Sequence, residues 1–243
     1  MQEEKCNWFA SWFDTPYYHI LYKDRDDNEA RVFMDNLTSY LNLPDEATIL
    51  DLACGKGRHS VYLNKLGYNV TGADLSENSI KSASEFSNDK LHFKVHDMRE
   101  PFEEKFDAIF NLFTSFGYFE NEEDNLTTLK AIHNSLSEYG FAAIDFMNVQ
   151  YVLDNLIAEE VKTVEGIDFN IKRYLKDGHI VKEINFEDKG KEYHYTERVR
   201  ALTLDDFETM MEKAGIYLLE IFGDYKLSKF HKNESERLIM IFK

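Results

Sequence analysis

Cysteine and proline are scarce in this chain, two and three residues in 243, and the 28 Lys and Arg are outnumbered by 45 Asp and Glu. Each shortage excludes something. Cys6 and Cys54 are too few for a metal cluster or a disulfide framework, and in a cytoplasmic chain they stay reduced. A formal net charge of −17 leaves no basic footprint for nucleic acid, whose phosphates are met by Lys and Arg. It also argues against polyanionic ligands in general, although a local basic pocket is compatible with it. No apolar run approaches the ~18 residues of a membrane span. Met1 to Trp8 lack a basic stretch followed by an apolar one, so no secretory signal is expected. His59, His92, His133 and His179 have no metal-ligand spacing, so no metal is expected either. The expectation is a cytoplasmic protein with neither a membrane nor a nucleic-acid partner.

Hydrophobic residues make up 43% and charged residues 30%, the balance of a globular chain able to bury a sizeable core. Aromatics crowd the start: Trp8, Phe9, Trp12, Phe13, Tyr17, Tyr18 and Tyr22. Periodicity then predicts a helix over 26–41, ended by Pro44. Strands and helices alternate after it. Strands are expected at 48–52, 69–73, 91–95, 106–111 and 141–146. Helices are expected at 58–66, 77–86 (capped by Ser76) and 122–137. This repetition predicts a parallel sheet covered by helices on both faces. A further helix is expected at 149–158. The period then drops to two, and Asp177-Gly178 and Asp188-Lys-Gly190 read as turns of an antiparallel insertion of about four strands over 160–202. Thr203 and Asp206 read as a capping box for a helix closed by Gly215. Strands at 217–223 and 237–242 finish the chain. Residues 1–243 therefore read as one domain with an inserted subdomain.

The chemistry centres on Ile49-Leu-Asp-Leu-Ala-Cys-Gly-Lys-Gly-Arg-His-Ser60, a strand, a tight turn and a helix start. Such a unit binds a nucleoside-bearing or anionic cofactor at the end of a parallel strand. A dinucleotide version usually has a third glycine where this chain has Ser60, and the triphosphate-binding Gly-x4-Gly-Lys-Ser/Thr is absent. Later strand ends carry matching groups. Asp74 can accept from two ribose hydroxyls, and Asp97 from an adenine amino group, with Met98 against the ring. Asn111 ends the fourth strand. Asp51 reads as a cofactor-site residue. Cys54 reads as a small turn residue rather than a nucleophile, having no His or Asn partner in view. Arg58 is either solvated or a partner for a cofactor carboxylate.

Asp51-Leu-Ala-Cys-Gly-Lys-Gly57, Gly72-Ala-Asp-Leu-Ser76, His96-Asp-Met98 and Phe106-Asp-Ala-Ile-Phe-Asn111 resemble the successive motifs of class I S-adenosylmethionine-dependent methyltransferases. The likeness covers roughly 26–150 and resumes at 203–243. It implies a Rossmann-like α/β sheet of seven strands, the seventh antiparallel, with S-adenosyl-L-methionine as cofactor. The implied cofactor site is Asp51, Ala53, Cys54, Gly55, Arg58, Asp74, Leu75, Asp97, Met98, Asn111 and Leu112, with Tyr18 from an aromatic lid over 1–25. The family often has Gly where this chain has Ala53. Two other readings fit the turn alone: a nicotinamide-dependent oxidoreductase, and a non-catalytic cofactor-binding module.

Tyr18-His-Ile-Leu-Tyr-Lys23, Leu112-Phe-Thr-Ser-Phe-Gly-Tyr118 and Tyr195-Thr-Glu-Arg-Val-Arg-Ala-Leu-Thr-Leu-Asp-Asp-Phe207 are similar to nucleotide-linked aminosugar N-methyltransferases, which tend to carry His where this chain has Tyr118. The implied reaction is methyl transfer to an amine or hydroxyl of a small molecule. Tyr118 and Tyr18 are the candidate acceptor-side residues; a phenol with an ordinary pKa near 10 is a poor base at neutral pH. Lys172, Arg173, Arg198 and Arg200 would have to form a local patch to meet a nucleotide diphosphate. The insertion is expected to roof the acceptor pocket or to pair two subunits into a homodimer.

Overall fold

A computed structural model describes residues 12–23, 27–119 and 121–243. Trp8, Phe9 and Cys6 lie outside the described residues. The described chain divides into two compact units, 12–23 with 153–201 and 27–152 with 202–243.

The larger unit is built on a seven-stranded sheet. Its strands are β1 (Thr48–Leu52), β2 (Asn69–Asp74), β3 (Leu91–Val95), β4 (Phe106–Asn111), β5 (Leu136–Met147), β10 (Leu218–Phe222) and β11 (Arg237–Phe242). They lie in the order β3-β2-β1-β4-β5-β11-β10. The first five are parallel, and β11 runs antiparallel to both β5 and β10. This is the expected sheet with its reversed last strand. The connecting helices are α2 (Asp27–Tyr40), α3 (Arg58–Lys65), α4 (Glu77–Ala83), α5 (Glu122–Ser135), α6 (Val149–Asp154) and α7 (Leu204–Ala214). The central strands read as continuous apolar runs because helices cover both faces. Phe33 and Leu37 of α2 join Ile49, Val70, Phe110, Ile239 and Ile241 in one buried cluster.

Helix caps follow the sequence. Ser76 accepts from the Ser79 amide, and Thr203 and Asp206 form the full reciprocal capping box. Gly215 ends α7 in the left-handed conformation at φ 74°. The boundary around residue 136 differs from expectation. α5 stops at Ser135 and β5 starts at Leu136, which pairs with Phe106 before the register shifts to Phe141 opposite Ala108. Gly140 permits the bend, since a Cβ there would lie 2.7 Å from the Phe106 carbonyl oxygen. Likewise α6 ends at Asp154 rather than 158, leaving residues 155–158 to lead into the next strand.

The smaller unit is a four-stranded antiparallel sheet of β6 (Glu159–Val164), β7 (Ile167–Lys176), β8 (His179–Asp188) and β9 (Lys191–Arg200). Its three hairpins turn at Glu165-Gly166, Asp177-Gly178 and Lys189-Gly190, each pair at positive φ, as primed two-residue turns require. Glu is unusual at the first position, which hides the Glu165-Gly166 turn from a reading by composition. Phe169, Ile171, Ile184 and Phe186 form its buried face with Trp12 and Leu21. The N-terminal aromatics pack on this sheet, around helix α1 (Pro16–Leu21). Trp12 Nε1 and the Tyr22 hydroxyl both donate to Glu197, each at 2.7 Å, and the Tyr17 hydroxyl donates to Asp188 at 2.9 Å. Lys182 donates to the Tyr22 hydroxyl. Among the described residues, no helix is long and apolar enough to cross a membrane.

Candidate active site

The carboxyl ends of β1, β2, β3 and β4 carry the groups expected to meet a ligand. β1 sits between β2 and β4, where the strand order reverses, the position at which open α/β sheets bind ligands. Past Leu52 the chain turns left-handed at Ala53 (φ 65°), Gly55 (φ 55°) and Gly57 (φ 78°). Ala53 is thus held in a conformation that costs an alanine roughly 1–2 kcal/mol. That is a physical reason for glycine at this position in many sequences of this kind. Gly57 is fixed sterically as well, because a Cβ would fall 2.5 Å from the Phe93 ring.

The turn is held by carboxylates on two strands. Asp74 Oδ2 accepts from the Gly55 amide at 2.8 Å, and Oδ1 from the Ser76 amide at 2.9 Å. Asp51 lies beneath, 2% exposed, and accepts from the Ser60 hydroxyl at 2.5 Å. Burial pushes its carboxyl up to about 6, with the charge of Asp74 adding to the rise and the Ser60 bond opposing it. Ser60 is therefore a partner of Asp51, not merely a missing third glycine. Cys54 is buried, and burial with the nearby Asp51 and Asp74 charges drives its thiol upward, so it stays protonated and is no nucleophile.

Asp97 is engaged by a residue that sequence reasoning did not single out. Arg99 forks it through Nε (3.0 Å to Oδ1) and Nη2 (2.6 Å to Oδ2), reaches Asp124 at 3.2 Å, and lies over the Phe119 ring at 5.2 Å. Burial alone would raise Asp97, but the Arg99 bonds outweigh it and hold the carboxyl below the usual range. The i, i+2 spacing of Asp97 and Arg99 was the available signal. Met98 is half-buried, and Leu75, beside Asp74, is 40% exposed. Asn111 is 1% exposed; its amide donates to the Leu52 carbonyl at 3.0 Å, while its buried Oδ1 has no donor. A carboxylate at the strand end, two apolar side chains and an orphaned buried acceptor suit the ribose, ring and amino groups of a nucleoside bearing an amino acid.

A groove of about 290 Å³ borders the turn along α2 and α3. Its lining includes Arg31, Lys56, Arg58, His59 and Lys65, a local basic surface in an acidic chain. Arg58 Nη2 lies 3.0 Å from His59 Nε2. A guanidinium only donates, so the His59 nitrogen is the accepting side of this contact. The His59 ring stacks on Phe113 at 4.6 Å.

Leu112 is buried, and Tyr118 is half-buried in the loop that follows β4. Tyr18 lies in the other unit, against Trp12, Phe13, His19 and Tyr22. Of Lys172, Arg173, Arg198 and Arg200 on the insertion, the first two do not share a face. They are successive strand residues, and they pair with Glu159 (3.0 Å) and Glu160 respectively. Among the described residues no group of His, Cys, Asp and Glu is disposed to hold a metal.

The parallel sheet with its reversed strand and a carboxylate-held turn defines an α/β protein that binds a nucleoside-type cofactor. A methyltransferase domain family matches residues 49–140. A glycine/sarcosine N-methyltransferase of Aphanothece halophytica is 25% identical over 90% of this chain and 83% of its own length. The dTDP-3-amino-3,4,6-trideoxy-alpha-D-glucopyranose N,N-dimethyltransferase of Streptomyces venezuelae is 25% identical over 71% and 76%. The crystal structure of an S-adenosylmethionine-dependent methyltransferase from Clostridium acetobutylicum superposes with a TM-score of 0.79 at 22% identity, covering 93% of this chain and 95% of that one. Residues 49–140 thus carry a methyltransferase domain, and the full-length likenesses support an S-adenosylmethionine-dependent methyltransferase of the class I fold. The nicotinamide reading gives way to it.

Proposed function

We propose that this enzyme methylates the nitrogen of a small amine. The observation that carries the reading is the loop after β4. Between Leu112 and Phe119 its polar side chains are Thr114, Ser115 and Tyr118, with no carboxylate, histidine or lysine. Thr114 accepts from Arg237, and Ser115 donates to the Leu112 carbonyl. A hydroxyl acceptor needs a base to lose its proton as the bond forms, and this loop holds none. A neutral amine presents its lone pair directly and sheds its proton to water afterwards. Both relatives named above are N-methyltransferases. Small amino acids and amino sugars are therefore the acceptors to test.

S-adenosylmethionine, when bound, supplies an electrophilic methyl on a sulfonium. In this proposal Asp74 holds the ribose hydroxyls, Leu75 and Met98 flank the adenine, Asp97 faces its amino group and Arg58 meets the carboxylate. Asp51 supports the Ala53–Gly57 turn, whose backbone, with Cys54, lies along the methionine part. Asn111 and Leu112 border the sulfonium, and the Tyr118 hydroxyl orients the acceptor nitrogen. The rate gain comes from alignment and exclusion of water. Tyr18 is the proposed contact from the N-terminal segment. The cytoplasmic location belongs to the same proposal, since the buried free thiol of Cys54 suits a reducing compartment. For the 160–202 sheet the proposed roles are substrate cover or homodimer contact; sedimentation of the whole chain and of a surface-charge variant of β9 separates them.

The test is transfer of labelled methyl from S-adenosylmethionine to glycine, sarcosine, amino sugars and matched hydroxyl compounds. Uptake by one or more amines is expected, with a rate that climbs with pH toward the ammonium pKa of the acceptor. Uptake confined to the hydroxyl compounds would overturn the reading.

A further inference from the structure

Behind the post-β4 loop lies a buried ionic cluster. Asp145 of β5 is fully buried, and Arg237, the first residue of β11, has a side chain 18% exposed. Arg237 Nε donates to Asp145 Oδ1 at 2.8 Å. The other carboxylate oxygen, Oδ2, accepts from the Phe113 amide at 2.8 Å and from the Tyr225 hydroxyl at 3.2 Å. Arg237 also extends Nη2 to the Thr114 hydroxyl at 2.9 Å, and the Thr114 amide donates to the Asp145 carbonyl at 3.0 Å. Phe113 is thus gripped through its backbone amide, and Thr114 through both backbone and side chain.

Those two residues are strained. Phe113 and Thr114 have φ of 57° and 59°, the left-handed region that bulky and β-branched residues avoid. Strain of this kind persists only where surrounding bonds over-determine it. The path it enforces turns the Phe113 ring onto His59, beside the cofactor turn, and onto Tyr225 at 5.3 Å, while the chain runs on to Tyr118.

We propose that Asp145 and Arg237 are positioning residues that clamp Phe113 and Thr114 in this strained path and so set the acceptor-side loop for methyl transfer. The clamp rests on the acceptor reading above for its kinetic consequence, though not for its existence. Paired buried charges of this kind gain their value from fixed geometry rather than from net stability. Lysine at 237 would retain the charge and lose the fork that reaches two loop groups at once.

Two measurements on the full-length protein test it together. Amide hydrogen exchange reads the clamp without any acceptor. Thr114→Gly, which removes the hydroxyl and relaxes the strain, and Arg237→Lys should each speed exchange at Phe113 at least tenfold. In Thr114→Gly the melting temperature should not fall, and affinity for S-adenosylhomocysteine should stay within twofold. Steady-state kinetics with the amine that wild type methylates should then show kcat/KM at least tenfold lower in Thr114→Gly and near wild type in Thr114→Ser. Unchanged exchange in both variants overturns the clamp. Faster exchange with full kcat/KM overturns its positioning role. A wild type that methylates no amine sinks the acceptor reading instead, and exchange then decides the clamp alone.

Discussion

Asp74 is tied to the turn it faces: Gly55 and Ser76 both donate to its carboxylate. Replacing it by alanine removes those bonds and the proposed ribose acceptor together. Calorimetry should find S-adenosylhomocysteine bound about 1–3 kcal/mol more weakly by Asp74→Ala. Unchanged affinity would remove Asp74 from the site. Asp51 makes a separate prediction through pH. Its carboxyl rises from 3.8 to about 6 in the folded protein, so the folded state holds the proton more tightly than the unfolded chain. The resulting stabilisation is complete below the unfolded value and is lost as pH rises through about 6, a difference of roughly 3 kcal/mol. Asp51→Asn should therefore raise the melting temperature at pH 8 and raise it much less at pH 4.5, where most of the protonated form's advantage is still present. An equal drop at both pH values would contradict this.

Elements were legible in the sequence where local chemistry and tertiary role agree. β1, β3 and β4 have the expected ends because apolar runs stop at polar or turn residues, and α7 has its capping box and its closing glycine. The Ile49–Ser60 turn and Asp74 were legible for the same reason. The start of β5 was hidden because Leu136 is claimed by a long-range pair with Phe106, which no local pattern encodes. The Asp145–Arg237 grip on Thr114 was hidden likewise, since 123 residues separate Thr114 from Arg237. The aromatic N-terminus was read as a lid by resemblance; its described bonds run to the four-stranded sheet. Glu197 is central there, accepting from Trp12 and Tyr22 with Lys182 at 3.8 Å. Glu197→Ala removes the acceptor shared by Trp12 and Tyr22, a change that costs about 1–3 kcal/mol. A lower denaturation midpoint and earlier proteolysis within residues 12–23 are expected. An unchanged midpoint would mean that ring packing alone anchors the segment.

At the scale of the whole molecule, the sheet order and the reversed last strand bring turn, carboxylates and loop to one edge of the larger unit. The acidic charge of the chain coexists there with the basic lining formed by Arg31, Lys56, Arg58 and Lys65. Methyl transfer at that edge requires that it hold S-adenosylmethionine rather than another nucleoside cofactor. Calorimetric titration of the purified chain with S-adenosylhomocysteine and, in parallel, with NAD tests this most directly. The account predicts micromolar binding of S-adenosylhomocysteine and no measurable binding of NAD. Binding of NAD with S-adenosylhomocysteine no tighter than millimolar would contradict it.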